Sequence, residues 1–216
     1  MTKSKRSRRG DTDPYQPVRD IARPLPRLSV RGRLGTNTII NGNEACSGIV
    51  SDGAGQASGS ALLVPGFTAD LNTSAVSNIA QYYSTARFLP GTTFHYVPQV
   101  SLSTSGILYT AYSDNVEVIS NYMTSNNAGR VNIVRQQANV KVTPVWSTIS
   151  IALPSAMRRK MFDVNQNCNT ASTDELDRSA QGLFMYALDG VPVGSNICRP
   201  WVHKKLQLEG LKMAST

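Results

Sequence analysis

The sequence is short of charge, of aromatic side chains and, above all, of histidine: charged residues make up 17% and aromatics 7% of its 216 residues, and there are two histidines in all. Long exposed helices held by ladders of ion pairs need more charge than this, and the plentiful Ser, Thr, Asn and Gly favour short strands joined by turns. No apolar run reaches the roughly 18 residues that a membrane span requires, so no membrane partner is expected. The N-terminus is basic but no apolar stretch follows it, which argues against a secretory leader. The three cysteines, Cys46, Cys168 and Cys198, are odd in number and far apart. They lack the close pairing of a zinc site and read as reduced thiols of an intracellular product. Without a leader, the glycosylation sequon Asn72-Thr73-Ser74 reads better as the start of a helix.

Catalytic patterns are missing as well. Gly-X-Ser-X-Gly, His-Glu-X-X-His and the phosphate-loop Gly-Lys-Ser/Thr do not occur. His95 and His203 fall inside expected strands beside apolar residues, without marked partners for metal or base work, and both read as structural. Gly53, Gly55 and Gly59 imitate a dinucleotide loop, but the final spacing is wrong and no strand-to-helix context surrounds them, so they read as turn glycines. No pair of carboxylates is marked as a catalytic pocket, and the sequence reads as a non-enzyme. Asp114, Asn115 and Glu117 do place hard oxygen ligands in one loop. Calcium is one reading of them and a solvated loop is the other.

What the chain has is an asymmetry of charge. The first 33 residues contain ten of the 22 Lys and Arg, namely Lys3, Lys5, Arg6, Arg8, Arg9, Arg19, Arg23, Arg27, Arg31 and Arg33, against Asp11, Asp13 and Asp20 alone. This arm therefore holds +7 of the formal +8, and residues 34–216 are near neutral. Arginine pairs with phosphate through two parallel donors, so Arg6, Arg8 and Arg9 suit contacts to a nucleic-acid backbone that ignore base identity. No aromatic alternates with them, which argues against base stacking. A nuclear localisation signal or a solubilising tail is the plainer alternative. A second basic group, Arg158-Arg159-Lys160, either lines the same nucleic-acid surface or forms an ordinary exposed turn.

Residues 1–33, with Pro14, Pro17, Pro24 and Pro26 behind the basic run, read as disordered by composition. Residues 34–57, rich in Gly, Asn and Ser, read as a connector that delivers a first strand, with β-prone islands at Thr38-Ile39-Ile40 and Gly48-Ile49-Val50. Residues 58–216 read as one domain. Apolar runs of strand length stand between turn signals at 61–64, 92–97, 106–112, 130–134, 139–142, 147–153, 182–188 and 204–208. Ile149, Ile151 and Leu153 alternate with polar or small residues, as do Leu206 and Leu208, so one face of each strand is packed. Helical signals are few. Leu71, Ala75, Val76, Ile79, Ala80 and Tyr83 share one face behind a cap at Asn72 or Thr73. Val116 to Met123 reads as helix or strand, and Ser172-Thr173-Asp174-Glu175 has capping-box spacing before Leu176. About eight strands with helices confined to connections predict an all-β, eight-stranded jelly-roll sandwich.

The order of these features resembles a known family. A basic arm leads through a Gly/Ser-rich connector to the helix Val76 to Tyr83, then Arg87-Phe88, Phe94-His95-Tyr96-Val97-Pro98, the Ser/Thr loop Ser101 to Gly106, and a strand from Ile107 to Tyr112 that closes on Ser113-Asp114-Asn115. That succession, continued through Val145-Trp146, Leu153-Pro154, Gly182-Leu183-Phe184 and Val202 to Leu208, is similar to the shell domain of coat proteins of small icosahedral positive-strand RNA viruses of the sobemovirus and tombusvirus type, with a barnavirus-type relative included. The length of the chain after the shell looks more like the sobemovirus form.

The resemblance implies a virion protein, assembled in the host cytoplasm, whose partners are viral genomic RNA and other copies of itself in a closed icosahedral shell of the T=3 kind. It implies RNA contacts by Lys3, Lys5, Arg6, Arg8, Arg9, Arg19, Arg23 and Arg27, with Arg158, Arg159 and Lys160 on the inner surface. It also implies calcium between subunits, where the family has Asp-X-X-Asp and this chain has Asp114, Asn115 and Glu117 instead. The alternative class is a cellular nucleic-acid-binding β-domain, such as an RNA chaperone or a ribosome-associated factor.

Overall fold

The computed structural model describes residues 28–31, 38–46, 49–66, 75–154, 160–164 and 167–212. In chain order its elements are β1 (Leu28–Arg31), β2 (Thr38–Ala45), β3 (Ile49–Val50), β4 (Gln56–Leu62), α1 (Ala75–Ala80), β5 (Tyr83–Phe88), β6 (Thr93–Tyr96) and β7 (Ile107–Ser113). There follow α2 (Val116–Thr124), α3 (Asn127–Arg135), β8 (Lys141–Pro144), β9 (Ile149–Ala152), β10 (Phe162–Asp163), α4 (Thr173–Ser179), β11 (Leu183–Asp189), β12 (Asn196–Cys198) and β13 (Trp201–Leu211). Every strand pairing is antiparallel. One sheet runs β4-β11-β7-β8. A larger one runs β1-β2-β13-β5-β10, with β6 also on β13 and β9 on β6, and β12 and β3 form a short ribbon.

The central strands of the smaller sheet, β7 and β11, are buried on both faces, and β11 shows why. Along Leu183-Phe184-Met185-Tyr186-Ala187-Leu188, the even-numbered residues enter the core between the two sheets and the odd-numbered ones enter a second core under the helices. Side chains of a strand alternate in direction, so a run apolar at every position is what a strand with two dry faces needs. The first core stacks rings from both sheets: Phe94 lies 5.2 Å from Tyr186 and 5.9 Å from Phe184, and Tyr112 lies 5.3 Å from Phe184. The second packs Ile119, Tyr122, Val131, Val134 and Leu176 of the helices on Tyr109, Ala111, Met185 and Ala187.

Four local expectations change or resolve. Residues 130–134, read as a strand, lie within α3: Asn126 caps it by accepting from Gly129 N, and Val131 and Val134 are buried one turn apart. Burial of that i, i+3 stripe overrides the β preference of its β-branched residues. Val116 to Met123 resolves as helix α2, capped by Asn115, with Ile119 and Tyr122 as its buried pair. The apolar face drawn from Leu71 to Tyr83 is helical over Ala75–Ala80, while Tyr83 opens strand β5. Its expected caps, Asn72 and Thr73, lie outside the described residues. Within the segment read as a connector, residues 38–45 form β2 and pair with β13 over eight positions. The helix start read at Ser172 holds: Ser172 Oγ accepts from Glu175 N at 3.4 Å and opens α4, while Ser172 N donates to Asn169 O.

A buried amide ties the two sheets together at one end. Gln181, fully buried ahead of β11, accepts from Phe88 N through Oε1 at 2.6 Å and donates through Nε2 to Phe88 O at 3.0 Å. Its own main chain pairs with Leu63, Gln181 N donating to Leu63 O at 2.9 Å, and Gly182 O accepting from Leu63 N at 2.8 Å. Tyr112 Oη donates to Gln181 O at 3.2 Å. Tyr112 can approach because the next residue is glycine: a Cβ on Gly182 would stand 2.2 Å from that hydroxyl. Replacing Gln181 by Leu leaves both main-chain groups of Phe88 buried without this partner, each worth about 1–3 kcal/mol. Urea denaturation of Gln181→Leu is expected to show a loss of about 3 kcal/mol. A loss below about 1 kcal/mol would mean the amide clamp contributes no more than an ordinary solvated hydrogen bond.

Candidate functional site

The residues expected to meet nucleic acid are reached only in part. Lys3, Lys5, Arg6, Arg8, Arg9, Arg19, Arg23, Arg27, Arg158 and Arg159 lie outside the described residues. Lys160 is described, and it is engaged with its own fold. Its Nζ donates to Asp177 O at 2.6 Å and lies 3.1 Å from Asp177 Oδ2 near the end of α4, and it stands 5.2 Å from the Phe162 ring centre. Both partners of the ion pair are about half exposed, so it holds Lys160 only lightly.

At the other acidic loop, Asn115 caps α2: its Oδ1 accepts from Glu117 N at 2.9 Å. Asp114 and Glu117 then leave two carboxylates, well short of the roughly six to eight oxygens calcium takes. Among the described residues no three His, Cys, Asp or Glu side chains gather as a metal site. One chain alone therefore does not fit calcium at this loop.

The two histidines face outward from the larger sheet, in β6 and β13. The His95 ring stacks on Trp201 with centres 3.9 Å apart, and its Nε2 lies 2.7 Å from Thr93 Oγ1. Burial, with a smaller contribution from His203, lowers the His95 pKa to about 4. His203 Nδ1 lies 2.7 Å from Asn43 Oδ1, and burial followed by the charge of Lys205 lowers its pKa too. Both rings are held neutral as packing elements. Burial likewise pushes the Cys168 thiol up to about 11 and the Cys198 thiol up to about 12, so neither is a ready nucleophile.

One charged feature lies on the inward side. Val202, Lys204, Leu206 and Leu208 share the core-facing side of β13, and Lys204, 8% exposed at its side chain, pairs there with Glu44 of β2. The pair borders a cavity of about 250 Å³ at the mouth between the sheets, lined also by Ser58, Ser60, Met123 and Arg130. Arg130 is a brace for the helical layer: Nε donates to Tyr122 O at 2.9 Å and Nη2 to Met123 O at 3.0 Å, and the guanidinium lies 5.3 Å from the Tyr122 ring centre. Next to it, Ser58 Oγ, Asn127 and Asp52 form a chain of hydrogen bonds along β4. Asn127, with the main chain of Gln56 and Ala54, holds the Asp52 carboxyl below its ordinary value.

No protein-family model and no curated protein matches the chain. Solved structures do. A chain of tobacco necrosis virus superposes with a TM-score of 0.65 at 16% identity, over 87% of this chain and 88% of that one. The fold is that of tombusvirus, sobemovirus and nodavirus-like capsid shell domains. A chain of mud crab tombus-like virus gives 0.64 at 11% identity, covering 92% of this chain and all of that one. A chain of cocksfoot mottle virus gives 0.60 at 14% identity, over 86% and 96%.

Within this shell-type fold, the sequence reading passed over Lys204 and Glu44. Their signal was present in the alternation itself, because a lysine in phase with Val202, Leu206 and Leu208 needs a buried carboxylate opposite. Removing one member of such a pair strands the other charge, whereas removing both does not. Glu44→Ala is expected to cost about 3 kcal/mol in chemical denaturation, and Glu44→Leu with Lys204→Met to regain most of it. Equal losses in the single and double variants would show that packing alone, without the charges, accounts for the site.

Proposed function

We propose that this chain is the coat protein of a small icosahedral positive-strand RNA virus, whose body tiles a closed shell while its basic arm lies on the genome inside. The observation that carries this is a shell-domain fold over nearly nine-tenths of the chain joined to an arm holding +7 of the +8 net charge. A near-neutral body lets many copies meet without strong mutual repulsion, and a concentrated cationic arm needs a polyanion to relieve it. The strand pattern supports the jelly-roll reading. Taking β5 with β6 and β10 with β9 as interrupted single strands leaves β2-β13-β5/β6-β9/β10 facing β4-β11-β7-β8, eight strands in two sheets.

In this reading the partners are RNA and further copies of the chain, the location is the virion, assembled in the host cytoplasm, and the shell is of the T=3 kind. Lys3, Lys5, Arg6, Arg8, Arg9, Arg19, Arg23 and Arg27 meet phosphate, with Arg158, Arg159 and Lys160 as additional inner charges. Calcium enters only between copies, with Asp114 and Glu117 as this chain's contribution. Particles that swell on chelation near neutral pH report such a site, and particles indifferent to chelation remove it.

The decisive experiment is assembly of the full chain and of a form lacking residues 2–33, followed by electron microscopy and measurement of packaged RNA. The full chain is expected to give uniform closed particles, and the shortened form a folded body that packages little RNA. With about six phosphate contacts per arm, the affinity for single-stranded RNA should fall with salt at a log-log slope of about −4. Equal packaging by the shortened form would remove the arm's role. Absence of closed particles across salt and pH would favour a cellular nucleic-acid-binding domain instead.

A further inference from the structure

The cavity beside Lys204 follows from the sequence of β4. Packed sheets lie about 10 Å apart, a gap that large side chains must fill. In the aromatic stack Phe94, Phe184 and Tyr186 fill it, but β4 offers Ser58-Gly59-Ser60-Ala61, four small residues in succession. Small side chains on both faces of the strand leave a space of about 250 Å³, lined by all four of them and by Ile49, Met123 and Val202.

The charged groups at this cavity do not balance. Among the described residues Lys204, Arg130 and Glu44 are the charged side chains that line it, two cations against one carboxylate. Lys204 pairs with Glu44 while 8% exposed, yet an ammonium has three donors. The part-buried Arg130 pairs with no carboxylate among the described residues, and its Nη1 reaches only Ser58 Oγ, at 3.4 Å. Taking such a cation out of water without a counter-ion is costly, and a bound anion would offset that cost.

We infer that this cavity binds a small amphipathic monoanion, a carboxylate such as a medium-chain fatty acid. Its head group meets Arg130 and Lys204, and its tail packs on Ile49, Ala61, Met123 and Val202. The excess of one positive charge selects a single negative charge; a more highly charged anion would be opposed by Glu44, and an inorganic one would leave the apolar wall uncovered. Volume sets the size. A cavity of about 150 Å³ holds benzene, so one of about 250 Å³ holds about ten non-hydrogen atoms. Such a ligand bridges β2 and β13 of the larger sheet, β4 of the smaller and helices α2 and α3, whatever the chain encloses, and so stabilises the folded body by linkage.

Calorimetric titration of the full chain with octanoate, octanol, octylamine and acetate tests the site. Octanoate is expected to bind with a Kd of about 0.1 mM, and the other three at least about tenfold more weakly, since they lack the charge, reverse it or lack the tail. Arg130→Gln is expected to weaken octanoate about tenfold and to leave octanol unchanged, which also reports an intact apolar wall. Ala61→Leu, which fills that wall, should weaken both. If either variant fails to fold, the four ligands on the wild-type chain still decide. The site is overturned by no saturable octanoate binding, by octanol or acetate binding as tightly as octanoate, or by octanoate binding that folded Arg130→Gln and Ala61→Leu leave untouched, as capture by the basic arm would.

Discussion

Strand β11 is the constraint on which the rest of the body depends. It sends Phe184, Tyr186 and Leu188 to one core and Leu183, Met185 and Ala187 to another, between β4 and β7 as hydrogen-bonded neighbours. A slip of one residue would exchange every side chain between two cores of different shape, an aromatic stack on one side and a bed for helices on the other. The Gln181 clamp fixes where the strand begins, because its amide can satisfy Phe88 at one position only. Register, sheet separation and the placement of α2, α3 and α4 thus follow from a nine-residue stretch.

That arrangement has a consequence for charge. With β7 and β11 buried on both faces, few of their positions can carry an ion, and the inward-facing Lys204 of β13 is held by Glu44. Charge is left to the outer face of the larger sheet, to the helices and to the end that carries Asp114 and Lys160. The body is near neutral by balance, twelve basic against eleven acidic side chains in residues 34–216, and the net positive charge is concentrated in the arm.

How much of this was legible in the sequence depended on whether a residue's partner was local. The strands of β7, β9 and β11, and the capping box at Ser172, were readable because alternation, apolar runs and caps act over a few residues. Strand β2 was legible only at Thr38-Ile39-Ile40, since Asn41, Gly42 and Asn43 are poor strand formers that become strand through pairing with β1 and with β13, the latter about 160 residues away. Helix α3 was misread because Val131, Ile133 and Val134 have β character, and only the stripe buried under the sheet decides for helix. Gln181 was invisible because the Phe88 main chain that explains it is distant in sequence, and Lys204 was marked only by its phase with Val202, Leu206 and Leu208, its partner Glu44 being equally distant. The basic arm was fully legible in its charge, because charge composition needs no partner to be read.

The division into a neutral body and a cationic arm also orders the steps of assembly under the coat-protein reading. Apolar contacts between bodies are short in range and nearly indifferent to salt, whereas the attraction between arms and a polyanion extends over a Debye length, about 10 Å at 0.1 M salt. Under that reading the arms would gather copies first, raising their local concentration along the nucleic acid, and the bodies would then select geometry by contact. Were the charges spread over the body, gathering and fitting would oppose each other, because every surface that attracts RNA would repel a neighbouring copy. Separating them along the chain lets the long-range force be unspecific and the short-range one exact in shape, and it asks of the arm only number of charges, not sequence.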